Sequence, residues 1–126
     1  MGQGRLFRKL RDRLNESDEA RLAAELRTWA AKVPGTTAIA DGAVRERARF
    51  AGVVRRITVR PVHGFDALEV ELYDGSGELS VLWLGRRTIP GLTLGSRLAV
   101  EGVLGLDRDR RRVVNPTFEF LSSAEG

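Results

Sequence analysis

The feature that most constrains the fold is a strict alternation of apolar and polar residues on both sides of one small turn. In "ALEVELYDGSGELSVLWLG" (67–85), Leu68, Val70 and Leu72 alternate with polar residues, and the pattern resumes after the turn at 74–77. Alternation with period two is typical of a β-strand with one buried face. Asp followed by small residues and glycines is typical of a hairpin turn. The segment therefore predicts two paired strands, and we interpret Asp74 and Ser76 as turn residues, because no histidine lies near them in the sequence.

Three further segments predict strands at 47–61, 97–106 and 111–121, and the long first one has Gly52 near its middle. A glycine inside a strand pattern often marks a bend or a bulge. Five strands, of which the first is long and bent, predict a small closed Greek-key barrel over residues 44–121.

The first third of the chain has the 3.6-residue period of helices instead. Residues 1–33 predict an N-terminal helical extension of one or two helices, and Asn15 or Ser17 could cap the second. The composition of residues 34–43 is that of a linker, and residues 122–126 form a C-terminal tail. The fold class is therefore an all-β core with a helical extension, α+β overall.

Composition narrows the classes of function. The 126 residues fit one domain. They include no cysteine and only His63 as histidine, which excludes disulfides and thiolate metal sites and leaves little basis for any metal or cofactor. No nucleophile, base and orienting group form a set, and no nucleotide-binding loop is present, so we do not expect an enzyme. No segment has the length and composition of a membrane span or a signal peptide, which predicts a cytoplasmic protein and no membrane partner.

The charge of the chain favours a polyanion as partner. The formal net charge is +4, and all but two of the 21 basic residues are arginine. Guanidinium groups pair bidentately with phosphate and stack on bases. The arginines that lie along the predicted strands and their connecting loops are therefore candidate nucleic-acid-binding residues: Arg47, Arg49, Arg55, Arg56, Arg60, Arg86, Arg87, Arg108, Arg110, Arg111 and Arg112.

Aromatic side chains that could stack on bases are few. Tyr73 shares its predicted strand face with Glu69 and Glu71, so we expect it to be exposed, and we include it among the binding residues. Trp83 is in phase with the apolar positions of its strand, which places it in the core unless a bulge shifts the register by one residue. Such a shift would place it at the edge of the binding face, and for this second possibility we include it among the binding residues. The two glutamates would repel phosphate from that face.

The basic N-terminal helix has three interpretations. Leu6, Phe7, Leu10 and Leu14 form one apolar stripe among basic residues. The stripe could dock on the barrel or on a second helix, bind a protein partner, or lie on nucleic acid or a membrane surface. Docking is the interpretation we favour, because so short a stripe holds a membrane only weakly.

The stretches "RFAGVVRRI", "LEVELYDGSGELSVLWLG", "IPGLTLGSRLAVEGVLG" and "RRVVNPTFEFL" resemble OB-fold domains of the tRNA anti-codon-binding type, including the wedge domain of branch-migration helicases. The whole chain is similar to stand-alone OB-fold proteins of actinobacteria. The resemblance implies that a ligand would cross the face of strands two and three, between the loop joining strands one and two and the loop joining strands four and five.

Two hypotheses of different classes follow. The first is a non-enzymatic OB-fold protein that binds single-stranded or junction DNA, or RNA, through these arginines. The second is a protein-interaction module that docks on a larger nucleic-acid-processing assembly, with the arginines facing acidic protein surface.

Overall fold

The computed structural model describes residues 2–123, with side chains described at 8, 10 and 15–123. The chain is mostly β, with one helix ahead of a single sheet. The helix is α1 (Gly2–Lys32), and a 3₁₀ turn follows at Ile39–Asp41. The strands are β1 (Arg47–Val62), β2 (Phe65–Tyr73), β3 (Glu78–Leu84), β4 (Arg97–Val103), β5 (Gly105–Asp107), β6 (Arg110–Val114) and β7 (Thr117–Leu121).

The extension is one continuous helix, so the alternative of two helices with a cap at Asn15 or Ser17 is wrong. Neither glycine nor proline interrupts residues 5–33. Polar residues such as Asn, Ser and Asp each cost well under about 1 kcal/mol inside a helix. The end of the helix is set by Pro34-Gly35. There the hydroxyl oxygen of Thr36 lies 3.0 and 2.9 Å from the carbonyl oxygens of Ala30 and Val33, and its single hydrogen donates toward this pair. The carbonyl oxygen of Ala30 also accepts from the N–H of Val33 at 3.1 Å.

The seven strands form one sheet in the order β5-β6-β3-β2-β1-β4-β7. The count differs from the five predicted because two predicted strands are each interrupted. Between β4 and β5, the N–H and carbonyl of Leu104 bond to Glu46 and Arg45 ahead of β1. Between β6 and β7, Asn115 has a φ of +52° and is followed by Pro116. Because β5 continues β4 and also pairs with β6, the strand pairings run around a barrel-like circuit.

The first strand bends where it exchanges partners. Residues 47–53 pair with β4, residues 53–62 pair with β2, and the register with β2 shifts between Val54 and Arg56. At Gly52 an added Cβ would lie 3.1 Å from the carbonyl oxygen of Tyr73 and 3.2 Å from Cβ of Leu72. The missing side chain therefore allows the close approach of β2 at the bend.

The main core lies inside this circuit. It contains Phe50 and the inward-facing residues of β2 and β3, and Val113 of β6 joins them. The segment predicted as a linker is packed against the same core, because Ile39 is fully buried in it. The N–H of Ile39 donates to Oδ2 of Asp74 at 2.9 Å. The turn after β2 is thereby joined to the segment that connects the helix to the sheet.

The C-terminal part of α1 is buried against the sheet. Trp29, Ala30 and Val33 pack with Ala51 of β1 and with Leu121 of β7. Among the described side chains, residues 15–20 and Leu10 are exposed. The rest of the predicted apolar stripe lies outside the described side chains, and residues 124–126 of the predicted tail lie outside the described residues.

The described residues contain neither a membrane-spanning helix nor a cluster of metal-binding side chains. In residues 2–123, no helix is both long and apolar enough to cross a bilayer. The same part of the chain holds no group of three or more His, Cys, Asp or Glu placed to bind a metal ion.

Candidate nucleic-acid interface

The alternation of β2 and β3 sends two sets of side chains to opposite faces. Leu68, Val70 and Leu72 point into the core, whereas Glu69 and Glu71 point outward. On β3 the outward positions include Glu78 and Ser80, which lie opposite Tyr73 and Glu71 in the register. This outer face carries the polar groups of the sheet.

Three depressions adjoin one another on this face, and we call them together the outer cleft. Two have volumes of about 430 Å³ each, and the third is a small recess of about 30 Å³. All three are lined by Ser80 of β3 and Arg110 of β6. The hairpin of β5 and β6 forms one wall of the cleft, and outward side chains of β1 reach it from the other side.

The cleft contains both signs of charge in nearly equal number. Its arginines are Arg56, Arg60, Arg108, Arg110, Arg111 and Arg112. Its carboxylates are Glu69, Glu71, Glu78, Asp107 and Asp109. Six cations against five anions make the site far less positive than the arginine count alone implies.

One row of four residues crosses the cleft. Arg56 of β1 lies opposite Glu71 of β2, Glu71 lies opposite Ser80 of β3, and Ser80 lies opposite Arg112 of β6. Residues that are directly opposite one another share a face of the sheet. The floor of the cleft therefore presents acidic and hydroxyl groups between two flanking guanidinium groups.

Glu69 is the best-bonded carboxylate of the floor. Its Oε2 accepts hydrogen bonds from Nη2 of Arg60 and from the hydroxyl of Ser80, each at 3.1 Å. Asp107 similarly pairs with Arg112, whose Nη1 lies 3.3 Å from Oδ2. Arg60 and Arg112 are thus partly neutralised before any ligand arrives.

Glu71 has a different environment. Its side chain is only 15% exposed, and its nearest cation is Arg110, with 3.8 Å between Nη2 and Oε2. That separation is an ion pair but is too long for a hydrogen bond. No donor among the described side chains, or in the described backbone, forms a hydrogen bond to this carboxylate.

The predicted binding residues divide into two groups. The structure brings seven of the thirteen to the cleft: Arg56, Arg60, Tyr73, Arg108, Arg110, Arg111 and Arg112. The other six lie outside it: Arg47, Arg49, Arg55, Trp83, Arg86 and Arg87.

Most of the predicted arginines already have an acidic partner. Seven of the eleven form ion pairs with carboxylates: Arg47, Arg49, Arg55, Arg60, Arg87, Arg110 and Arg112. Among the described side chains (8, 10 and 15–123), Arg56, Arg86 and Arg108 form no such pair. The exposed arginines that are most available to a ligand in the cleft are therefore Arg56 and Arg108, together with Arg110, whose ion pair is long.

Arg111 is held differently from its neighbours. It alternates with Arg110 and Arg112, and it shares its strand face with the buried Val113. Its Nη2 donates to the carbonyl oxygen of Ala40 at 2.9 Å, and its Nε is buried without a partner. Arg111 therefore ties the β5–β6 hairpin to the 3₁₀ turn.

The two aromatic candidates have opposite environments. Trp83 is 4% exposed, its Nε1 donates to the carbonyl oxygen of Pro116 at 3.2 Å, and it packs edge-on against Phe118. It is a core residue. Tyr73 lines the cleft and is half-buried, with the guanidinium carbon of Arg55 at 4.1 Å from its ring centroid.

The sequence prediction missed Ser80 and Thr58, which line the cleft, and it treated Glu69 and Glu71 only as a source of repulsion. Alternation places Ser80 on the same face as Glu78, so the period-two signal could have identified it. Thr58 lies between Ile57 and Val59, so the same signal places it on the face of Arg56 and Arg60.

Comparisons with known proteins give a likeness to solved structures only. No family model matches the chain, and no curated protein matches it. Among solved structures, the chain is similar to a chain in a structure of a replication protein A heterotrimer bound to ssDNA, with 16% sequence identity and a TM-score of 0.49. That match covers 79% of this chain and 77% of the other.

Proposed function

We propose that this chain is a non-enzymatic OB-fold protein that binds single-stranded nucleic acid across the outer cleft. The observation that carries the proposal is the position of the cleft, on the outer face of β2 and β3, with the arginine-bearing β5–β6 hairpin as its wall. OB-folds bind oligonucleotides on this face, between the loops that flank it. The barrel-like circuit of strand pairings supports the assignment to that fold.

The side chains of the cleft suit a single strand better than a duplex. Tyr73 offers a ring on which one base can stack, a contact worth roughly 1–3 kcal/mol. Arg56, Arg108 and Arg110 can pair with phosphates that pass along the rim. An unpaired strand has bases that are free to turn toward the floor of the cleft, whereas those of a duplex are stacked and paired.

The small excess of positive charge sets the expected strength of binding. If only Arg56, Arg108 and Arg110 contact phosphates, the log-log slope of affinity against salt should be about −2 for a single strand. Raising the salt fourfold should then weaken binding roughly twentyfold. Contacts from all eleven predicted arginines would instead give a slope near −8, roughly a ten-thousandfold loss or more.

Fluorescence anisotropy with a labelled thymidine strand, over a salt series, tests the proposal. We expect measurable binding at low salt, a shallow slope, and weaker binding to the corresponding duplex. The variant Arg110→Ala should weaken binding several-fold, whereas Arg47→Ala, which removes the same charge outside the cleft, should not. Absence of binding to single-stranded DNA, RNA and a forked junction at low salt would refute the proposed function.

A second candidate function is supported by a different observation. Val103, Leu106 and Val114 are exposed apolar residues, and they line a separate groove of about 350 Å³ beside Arg47 and Glu101. Exposed apolar side chains around one groove are typical of protein contacts. Under this alternative the chain is a docking module, and Leu106→Ser would abolish partner binding without affecting oligonucleotide affinity.

A further inference from the structure

The carboxylate of Glu71 is unusual among the polar groups of the cleft. Its side chain is only 15% exposed, it lies in the floor, and no hydrogen bond from the described side chains or backbone reaches it. Its oxygens still face the cleft, so water can bond to them when no ligand is present. A donor supplied by a ligand would take the place of that water.

The surroundings of Glu71 decide which part of a nucleic acid it can meet. Phosphate oxygens are acceptors and carry negative charge, so a carboxylate repels them. Arg56 and Arg112, at the two ends of the row that contains Glu71, attract them instead. A strand lying in the cleft would therefore place its phosphates toward the arginines at the rim and a base edge toward Glu71.

The four bases differ in what they offer a carboxylate. An ionised carboxylate only accepts hydrogen bonds, and its two oxygens can take two parallel donors. Guanine has two neighbouring donors on its Watson–Crick edge, N1–H and the 2-amino group. Adenine and cytosine place a ring-nitrogen acceptor beside their amino group, and thymine and uracil flank one N–H with two carbonyl oxygens. Each of these four bases therefore turns an acceptor toward one oxygen of the carboxylate, which repels it.

We propose that Glu71 gives the outer cleft a preference for guanine in single-stranded nucleic acid. This inference rests on the proposed function. Ser80, opposite Glu71, is already bonded to Glu69, which leaves the Glu71 oxygens free to accept from the base. Because a bidentate contact of this kind discriminates between bases, we expect a guanine to improve affinity roughly tenfold.

The test compares three labelled strands by anisotropy at low salt: all-thymidine, the same strand with one central guanine, and the same strand with inosine in place of that guanine. Inosine keeps N1–H but lacks the 2-amino group. For the unmodified protein we expect the guanine strand to bind most tightly and the inosine strand to lie between the other two. This comparison needs no variant, so it does not depend on the folding of an altered protein.

The variant Glu71→Gln then tests whether the preference for guanine comes from Glu71. An amide presents one acceptor and one donor, so the advantage of guanine should disappear. Affinity for the thymidine strand should stay the same or rise, because a negative charge has been removed. The matched control Glu101→Gln, outside the cleft, should keep the preference. Far-UV circular dichroism of each variant confirms that it is folded.

The measurements separate failure of the guanine preference, of the role of Glu71 and of the proposed function. Equal binding of the thymidine and guanine strands by the unmodified protein would overturn the guanine preference and leave the proposed function standing. A guanine preference that persists in folded Glu71→Gln would overturn the role of Glu71. Absence of binding to every strand would overturn the proposed function and this inference together.

Discussion

Replacing Asp74 should destabilise the protein strongly, because this one buried carboxylate bonds within the β2–β3 turn and also joins that turn to the 3₁₀ turn ahead of β1. Its Oδ1 accepts from the N–H and the hydroxyl of Ser76, at 2.8 and 2.7 Å, and from the N–H of Gly77 at 3.1 Å. Its Oδ2 accepts from the buried N–H of Ile39 at 2.9 Å. The hydroxyl of Ser76 in turn accepts from the N–H of Ala40 at 3.1 Å.

The magnitude follows from which donors can find water. In Asp74→Ala the buried N–H of Ile39 loses its acceptor, which costs about 1–3 kcal/mol. The N–H groups of Ser76 and Gly77 are only partly buried and can reach water, so each costs about 1 kcal/mol. The free energy of unfolding should therefore fall by about 3–5 kcal/mol, and the melting temperature by roughly 10–20 °C.

Asp74→Asn is the sharper test, because it keeps the size of the side chain. One oxygen can still accept from the β2–β3 turn, but the amide NH₂ would then face the N–H of Ile39, and two donors would oppose each other. We expect a loss of about 2 kcal/mol. Asp41→Asn removes a charge from the exposed part of the same 3₁₀ turn and should change stability by less than about 0.5 kcal/mol.

Urea unfolding followed by far-UV circular dichroism measures all three variants. The slope of the unfolding free energy against urea should stay constant, so that the midpoint alone reports the change. If Asp74→Asn proved as stable as the unmodified protein, the carboxylate would not be the link between the linker and the turn.

Two further predictions concern the elements around the cleft. In Gly75→Ala the new Cβ would lie 2.0 Å from the carbonyl oxygen of Ala23, at a φ of +87°, so α1 must move away from the turn. We therefore expect acrylamide to quench the tryptophan fluorescence of this variant more strongly, and unchanged quenching would contradict this packing. Arg111→Ala should lower the melting temperature with little direct effect on oligonucleotide affinity, whereas Arg110→Ala should lower the affinity with little effect on the melting temperature. Thermal unfolding and anisotropy of both variants separate the two roles. If both variants changed the same quantity equally, the placement of Arg110 and Arg111 on opposite faces of β6 would be wrong.

Much of the sheet could be predicted from the sequence because its signals are local. The alternation of β2 and β3 and the turn between them correctly place Leu68, Val70 and Leu72 in the core, and the phase of Trp83 indicates the buried position it occupies. Such patterns require only that one face of a strand is buried. The residues of the turn set the register of β2 with β3.

The errors came from features that depend on the rest of the fold. A capping pattern at Asn15 and Ser17 indicates where a helix could begin, but it does not interrupt a helix that nothing else breaks. The interruption at Leu104 arises because its backbone bonds to Glu46 and Arg45, far away in the sequence. Residues 34–43 have the composition of a linker, and that composition gives no sign that Ile39 is buried in the core.

The same dependence on register explains why the arginines were harder to interpret than the strands. Cross-strand neighbours on an exposed face favour opposite charges, whatever the protein binds. Arg60 meets Glu69 only because the bulge between Val54 and Arg56 shifts β1 by one residue against β2.

An arginine count therefore overestimates the attraction for a polyanion whenever the register pairs arginines with acids. The groups that the register leaves without a close partner say more about a ligand. In the outer cleft they include Arg56 and Arg108, which we propose face phosphate, while Glu71, which has a long ion pair with Arg110 but accepts no described hydrogen bond, is the group that we propose faces a base. A cleft in which both kinds of group lie side by side is suited to distinguish strands by their bases, because its charges nearly cancel and contribute little affinity that is common to all sequences.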